Sequence, residues 1–138
     1  MPYFKDAEDV YAHLGRLFED VVADEDLSAR LRGVDTVVQY RMRRPDSQLT
    51  VQALEAGDLR VDFGVTELRP EVILAMDADT AHRYWLGKIN VTAALARGQI
   101  SARGPVAKIL KLVPLVVPIR ERYASRLQDA GREDLVKA

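Results

Sequence analysis

The chain has 138 residues, of which 48% are apolar and 30% are charged. This length suits one domain with its own core, and the balance of residues excludes an intrinsically disordered chain. A net charge of −1 gives no overall attraction to nucleic acid, and the absence of cysteine excludes disulfides and thiolate metal sites. We expect a single domain over residues 1–138, and a cytoplasmic location because the N-terminal residues lack the apolar run of a signal peptide.

Two helices are predicted at the start of the chain. Apolar residues recur at helical spacing over residues 6–23, and acidic residues cluster near the beginning of that stretch. A second, shorter helix is predicted over residues 24–32, with Asp24 or Asp26 as its N-cap and Gly33 as its end.

Four strands are predicted next, because the hydrophobic pattern changes to a period of two. The first covers residues 34–42, a turn follows at 44–47, and further strands are expected over 48–55, 59–65 and 71–76. The apolar residues expected on one face of the last two strands are Leu59, Val61, Phe63, Val65, Val72, Leu74 and Met76.

Helices and one more strand are predicted after residue 76. The pattern indicates a helix over 77–87, then a short helix over 91–97 that Asn90 caps. A fifth strand is expected over 99–103. The order of elements is typical of an α+β domain with helices over one face of a sheet.

The C-terminal quarter is predicted to be helical but interrupted. Pro105 suits the first turn of a helix, whereas Pro114 and Pro118 are expected to break or kink the helix at their own positions. Helical spacing resumes over residues 119–127, and the chain from Gly131 onwards is expected to fray.

Residues 109–119 are apolar on almost every side of the predicted helix. Such a segment must be buried on several sides, by the sheet, by a bound ligand or by a second subunit, and the sequence leaves these alternatives open. Lys108 and Lys111 flank it. They are expected either to contact anionic lipid headgroups or a ligand carboxylate, or to lie on an exposed helix edge.

The sequence contains no pattern that indicates catalysis or metal binding. A Gly-x-Ser-x-Gly elbow and a glycine-rich nucleotide loop are both missing. His13 and His82 have no partner at metal-ligand or triad spacing, so we expect packed or surface histidines. Arg41 and Arg43 are expected on a solvated sheet face, without aromatic residues for stacking bases. We expect no enzyme activity, no cofactor, no metal and no nucleic-acid partner.

A series of short motifs between residues 70 and 113 carries a family resemblance. A strand at 72–77 precedes Gly87-Lys88, then Asn90, then Ala93-Ala94-Leu95. The motifs Gly98-x-Ile100-x-x-x-Gly104 and Ala107-Lys108-Ile109-Leu110-Lys111-Leu112 complete the series. In this order and spacing, the chain resembles the sterol carrier protein type 2 family of lipid-binding domains.

The resemblance implies a fold, a function and a set of contact residues. The fold is a five-stranded, mixed, mainly antiparallel sheet covered by helices on one face, with a hydrophobic tunnel between sheet and helices. The function is non-catalytic binding and carrying of a fatty acyl chain, a sterol-like molecule or another lipid, with at most transient membrane contact. The residues expected to contact the ligand are Phe63, Val72, Leu74, Met76, Trp85, Leu86, Ile89, Leu95, Ile109, Leu112, Val113 and Val116.

Two alternative functions stay open. The chain is either a structural or regulatory module that forms a homodimer or docks a partner through its apolar C-terminal segment, or an accessory factor that presents a lipid-like substrate to a separate enzyme. For a carrier, Pro114 and Pro118 suggest the hypothesis that movement of the C-terminal helix opens the tunnel.

Overall fold

The computed structural model describes residues 2–138 as eight α-helices and one five-stranded sheet. It also contains a π-helical turn at Tyr11–Gly15 and a 3₁₀ turn at Val113–Leu115. The helices are α1 (Ala7–Val10), α2 (Arg16–Ala23), α3 (Glu25–Val34), α4 (Ala78–Trp85), α5 (Val91–Ala96), α6 (Val106–Leu112), α7 (Val116–Asp129) and α8 (Glu133–Lys137). The strands are β1 (Thr36–Arg43), β2 (Ser47–Ala53), β3 (Arg60–Phe63), β4 (Val72–Asp77) and β5 (Ile100–Arg103).

The sheet is mixed, with the strand order β3-β2-β1-β4-β5. β1 runs parallel to β4, and the other three neighbouring pairs are antiparallel. Val38 of β1 marks the register, because it is paired with Val51 on one side and with Val72 on the other. The predicted mixed, mainly antiparallel five-stranded sheet is confirmed.

The hydrophobic core lies between one face of the sheet and the helices. Alternate residues of β1 and β4 are buried on this inner face, whereas Arg41 and Arg43 of β1 are exposed on the outer face. On the outer face the Gln39 side-chain amide donates a hydrogen bond of 3.0 Å to the Thr50 hydroxyl. The predicted α+β arrangement, with helices over one face, is confirmed.

The first two helices differ from the prediction at their junction and at their end. The stretch predicted as one helix contains the π turn. The predicted end at Gly33 is wrong, because α3 continues to Val34 and Asp35 closes it with a left-handed backbone, φ 57°. Aspartate tolerates this conformation better than most side chains. The Asp35 carboxylate then accepts a hydrogen bond of 2.9 Å from the Glu55 backbone N–H.

Three further expectations are wrong. Pro118 does not interrupt a helix, because it is the third residue of α7, where the backbone N–H has no acceptor within the helix. The chain after Gly131 does not fray but forms α8, in which Leu135 is buried. Val65 lies beyond the end of β3 and is 98% exposed, so it does not share the inner face with Phe63.

Candidate functional site

An aromatic cluster fills the space between the sheet and the helices. Trp85 of α4 meets Phe18 of α2 edge-on, with ring centroids 5.1 Å apart, and meets Tyr40 of β1 at 5.6 Å. Tyr84 also packs edge-on against Trp85, at 4.9 Å. Because aromatic rings bury large apolar areas, this cluster forms a main contact between the sheet and its helical cover.

The cluster contains a buried polar atom that is not hydrogen-bonded. The hydroxyl of Tyr84 has no hydrogen-bond partner within residues 2–138, although the residue is only 3% exposed. Burial raises the pKa of Tyr84 to about 12 and the pKa of Tyr40 well above its ordinary range, so both hydroxyls stay protonated. The interior therefore offers a hydrogen-bond donor in apolar surroundings.

A cavity of about 700 Å³ lies at the end of the sheet next to the π turn. Its lining includes exposed Arg41 and Arg43 as well as Met42, which is buried on the inner face of β1. Tyr11 of the π turn forms part of the wall, and its hydroxyl accepts a hydrogen bond of 3.2 Å from the Gln48 backbone N–H. Met42 is the only buried residue of this lining, so the cavity lies mainly outside the apolar core.

A smaller cavity of about 280 Å³ lies between α4 and α5. Ile89 is the large apolar residue of its lining, and Arg83, Lys88 and Arg97 supply positive charge. Asn90 fixes the start of α5, because its side-chain oxygen accepts a hydrogen bond of 3.0 Å from the Ala93 backbone N–H. The predicted capping role of Asn90 is confirmed.

The architecture has clear counterparts among solved structures. No protein-family model matches the chain. The sterol carrier protein domain 2 of Helicoverpa armigera superposes with a TM-score of 0.69 at 20% identity, covering 87% of this chain and 96% of that domain. The chain has the sterol carrier protein 2 fold. Sterol carrier protein 2 of Yarrowia lipolytica also superposes, with a TM-score of 0.62 at 12% identity, covering 75% of this chain and 86% of that one.

One curated relative aligns with much of the chain. It is the Hydroxysteroid dehydrogenase-like protein 2 of Mus musculus, which is 24% identical over 121 residues, or 88% of this chain. The chain spans 23% of the length of that relative.

Most of the predicted ligand-contacting residues lie within the core of the sterol carrier protein 2 fold. Ile89 alone among them lines one of the two cavities described above. Those that are buried are Val72, Leu74, Met76, Trp85 and Leu112. Those that are partly buried against the core are Phe63, Leu86, Ile89, Ile109 and Val116. Val113 is partly buried, and Leu95 is 37% exposed. Because side chains fill the interior in this conformation, the tunnel and its lining stay predictions.

The structure separates Phe63 from the rest of the predicted set. Phe63 lies on β3, and β2 and β1 stand between it and β4. Because neighbouring strands are about 4.8 Å apart, β3 and β4 are separated by about 14 Å across the sheet. Phe63 stacks on Tyr11, with centroids 5.4 Å apart, and packs over Gly15, where a Cβ would lie 2.8 Å from its ring. It therefore packs against the π turn, whereas the predicted contacts of β4 lie towards the other edge of the sheet.

Sequence reasoning missed Tyr84 and Tyr40, because it weighed apolar side chains and titratable pairs only. The available signal was the Tyr84-Trp85 pair at the end of α4 together with Tyr40 on the inner face of β1. A tyrosine among core positions needs a partner for its hydroxyl. The sequence therefore marks Tyr84 as a polar group in the core, but it does not show whether the hydroxyl has a partner.

Both histidines are packed in the interior, which is one of the two predicted alternatives. His82 is fully buried, and desolvation lowers its pKa to about 4 despite the hydrogen bond to the Leu135 carbonyl. His13 is 8% exposed, and burial also lowers its pKa. Both imidazoles are therefore neutral at pH 7 and serve the packing of the fold.

Neither a metal site nor a membrane span is found in the described part of the chain. Within residues 2–138, no group of three or more His, Cys, Asp or Glu side chains is arranged to hold a metal ion. None of the helices described has both the length and the apolar character needed to cross a bilayer.

Proposed function

We propose that the chain binds a hydrophobic small molecule between its sheet and its helices and carries it without changing it chemically. A fatty acyl chain, a sterol-like molecule or another lipid fits this proposal. The observation that carries it is the apolar layer between sheet and helices with the unpaired hydroxyl of Tyr84 inside it. The shared fold with proteins named sterol carriers supports it by analogy.

Burial of the ligand supplies the affinity in this proposal. Apolar surface removed from water contributes about 25 cal/mol per Å², so a long acyl chain is held without specific contacts. The hydroxyl of Tyr84 donates a hydrogen bond to the polar head of the ligand, which then satisfies an otherwise costly buried group. The other ligand contacts are the twelve residues that the family resemblance implies.

Uptake requires the helices to move apart from the sheet, because the interior is filled by side chains. Movement of α7, which the two prolines suggested, is opposed by its ion pairs with the N-terminal helices. Arg126 of α7 binds Asp20 through two hydrogen bonds of 2.6 and 2.8 Å, and Arg122 binds Asp24 at 2.5 Å. α6 is held through one basic side chain rather than two: the ammonium of Lys108 donates to the backbone carbonyls of residues 34 and 35 and lies 3.9 Å from the carboxylates of Asp35 and Glu71. We therefore infer that α6 moves instead.

Binding of a fluorescent fatty acid tests the proposal. Trp85 is the single tryptophan and lies in the aromatic cluster, so a bound fluorophore in the interior quenches its emission. We expect saturable quenching at micromolar concentration with delipidated protein, and displacement by unlabelled fatty acid. Native mass spectrometry of the freshly purified protein then gives the mass of any ligand that it carries.

A matched pair of variants locates the ligand. Ile109→Trp narrows the space beside α6 and is expected to weaken binding, whereas Val106→Trp places the same bulk on a side chain of the same helix that is 69% exposed and leaves binding unchanged. If neither fatty acids nor sterols bind at micromolar concentration, or if both variants act alike, the interior carrier is the wrong function.

The accessory role is a second candidate, and the mouse relative favours it. That relative is named a hydroxysteroid dehydrogenase-like protein, and this chain matches less than a quarter of it. In such a role the chain presents its bound lipid to a separate enzyme. The test is to add the loaded chain to a purified candidate dehydrogenase. A higher rate than with free lipid supports the role, and an equal rate contradicts it.

A further inference from the structure

Charge is unevenly distributed along the chain. Residues 80–120 contain seven Lys and Arg and no Asp or Glu, although the whole chain contains 20 basic and 21 acidic residues. This segment therefore has a net charge of +7, and the remainder, with 13 basic and 21 acidic residues, has a net charge of −8. A near-neutral total conceals a strongly basic region that runs from α4 to the start of α7.

The same segment carries most of the exposed large apolar side chains. Of six such residues found within residues 2–138, four belong to it, and Val106, Leu110 and Val117 are 69%, 65% and 55% exposed. These three follow helical spacing along α6, the 3₁₀ turn and α7. Leu112 and Ile119, on the opposite side of the same helices, are buried. The three exposed residues thus form an apolar stripe on the solvent side.

Basic groups border this stripe. Lys111 is adjacent to Leu110, and Arg120 follows Val117 by one turn. The Arg120 side chain lies over Gly87, where a Cβ would be 2.9 Å from its Cδ, which brings it to the end of α4. Arg83 belongs to the same helix, and it lines a cavity together with Arg97. We call this surface the basic–apolar face; its members are Val106, Leu110, Val117, Arg83, Arg97, Lys111 and Arg120.

The charges of this face are not neutralised within the molecule. Of the ion pairs found within residues 2–138, none includes Arg83, Arg97, Lys111 or Arg120. Along the chain, the nearest carboxylates are those of Asp79, one turn before Arg83 in α4, and of Glu121, which follows Arg120. The four groups are therefore available to an external anion.

We propose that the basic–apolar face docks on an anionic lipid bilayer. Its charges match lipid phosphates, and its aliphatic side chains enter the boundary between headgroups and acyl chains. Binding of single-stranded nucleic acid usually relies on exposed aromatic rings, whereas this stripe is aliphatic. A second copy of the chain in a two-fold arrangement would place Lys111 and Arg120 near their own counterparts, which like-charge repulsion disfavours.

This inference does not depend on the proposed carrier function. The exposed residues of the stripe differ from the predicted ligand contacts of the same C-terminal segment, which are Ile109, Leu112, Val113 and Val116. Docking can hold if the interior takes up no lipid, and the interior can bind lipid if docking fails.

Vesicle flotation tests the docking. The full chain is mixed with vesicles of phosphatidylcholine alone, or of equal parts phosphatidylcholine and phosphatidylglycerol, and bound protein is measured after flotation. We expect binding to the mixed vesicles only, and its loss at high salt. Lys111→Gln with Arg120→Gln is expected to weaken binding about 25-fold, since each basic residue near the surface contributes about a factor of five.

The contribution of the apolar stripe is tested by the double variant Leu110→Ser with Val117→Ser. We expect its binding to the mixed vesicles to be about tenfold weaker than that of the wild type. The matched controls are Val65→Ser, an exposed valine outside the segment, and Arg69→Gln with Lys137→Gln, two basic residues outside it. The controls should float like the wild type, and all variants should keep the wild-type circular dichroism spectrum.

Several results would overturn the docking proposal. These are equal flotation with both vesicle types, no flotation of the wild type, or the same loss in face variants and controls. Sedimentation velocity that shows dimers abolished by Leu110→Ser, without vesicle binding, would assign the face to a second copy. Quenching of Trp85 by a monomeric fatty acid, measured in the same variants, reports the interior separately, so the two proposals fail independently.

Discussion

The hydroxyl of Tyr123 lies 2.7 Å from Nδ1 of His82 in the interior of the protein. On the other side of the ring, Nε2 is 2.7 Å from the carbonyl oxygen of Leu135. A carbonyl only accepts hydrogen bonds, so Nε2 carries the proton and Nδ1 accepts one from the tyrosine. A neutral imidazole thereby links α4 to both α7 and α8.

This neutral imidazole predicts that the fold loses stability in mild acid. The pKa of His82 is about 4 in the folded protein against 6.5 for an ordinary histidine, chiefly because of desolvation. Between these values the unfolded chain binds a proton that the folded chain does not, so stability is full above pH 6.5 and falls as the pH approaches 4. We expect a loss of about 3 kcal/mol over this window, measured by urea unfolding at several pH values.

The variant His82→Gln isolates this contribution. It cannot titrate, so its stability should change less over the same window, although it starts from a lower value at neutral pH. His13→Gln serves as the control, because burial also lowers the pKa of His13. The contribution of His13 to the loss of stability in acid must therefore be measured and subtracted. Equal losses in the wild type and His82→Gln would show that another group controls the acid response.

Removing the Tyr123 hydroxyl should destabilise the fold. In Tyr123→Phe, the Nδ1 atom of His82 is left buried without a donor, which costs about 1–3 kcal/mol. Urea unfolding at neutral pH measures this loss. Tyr3→Phe is the matched control, since Tyr3 contacts the same imidazole through its ring but its hydroxyl has no hydrogen bond within residues 2–138. A loss of the same size in both variants would contradict the assigned role of the hydroxyl.

Removing the hydroxyl of Tyr84 should instead stabilise the ligand-free protein. Its hydroxyl is buried without a partner in the described residues, so Tyr84→Phe removes an unsatisfied group and should stabilise the ligand-free protein by about 1 kcal/mol. Affinity for a fatty acid should nevertheless fall about tenfold, because the headgroup loses its donor. Thermal unfolding and Trp85 quenching measure the two effects. A destabilised Tyr84→Phe that binds normally would exclude the proposed headgroup contact.

Two glycines should respond to alanine in opposite directions. Gly104 has φ +125°, and a Cβ there would lie 2.5 Å from the Glu71 carbonyl oxygen and 3.1 Å from the Val72 Cα. Gly104→Ala should therefore lower the free energy of unfolding by about 2–4 kcal/mol. Gly33 lies within α3, and a Cβ added there would meet no atom within 4 Å. Gly33→Ala should therefore raise the free energy of unfolding by about 0.5–1 kcal/mol. Urea unfolding of both variants checks the sign of each change.

The strands and the helix starts could be predicted from the sequence because their causes are local. Alternation of apolar residues defined the inner face of β4, and Asn90 marked the beginning of α5 through its own side chain. The fifth strand followed from the glycines on either side of it, Gly98 and Gly104, both of which have positive φ. Each of these features depends on residues close in the chain.

The errors arose where distant residues decide the outcome. Leu135 belongs to a short segment after a glycine, and its burial and the bond from His82 hold α8 in place. The end of α3 shifted to Val34, with Asp35 as its C-cap, because the Asp35 carboxylate and carbonyl have partners in Glu55 and Lys108. The Tyr84 hydroxyl could not be identified as unpaired without knowing its neighbours. The predicted ligand contacts stay predictions for the same reason.

The two outermost strands of the sheet affect how the protein behaves in concentrated solution. β3 and β5 each have only four residues, and charged side chains interrupt them, namely Arg60 and Asp62 in one and Arg103 in the other. Such short, charged edges give a neighbouring molecule few free backbone groups to pair with, which protects against strand-to-strand aggregation. A chain with this much exposed aliphatic surface should therefore not extend its sheet into fibres.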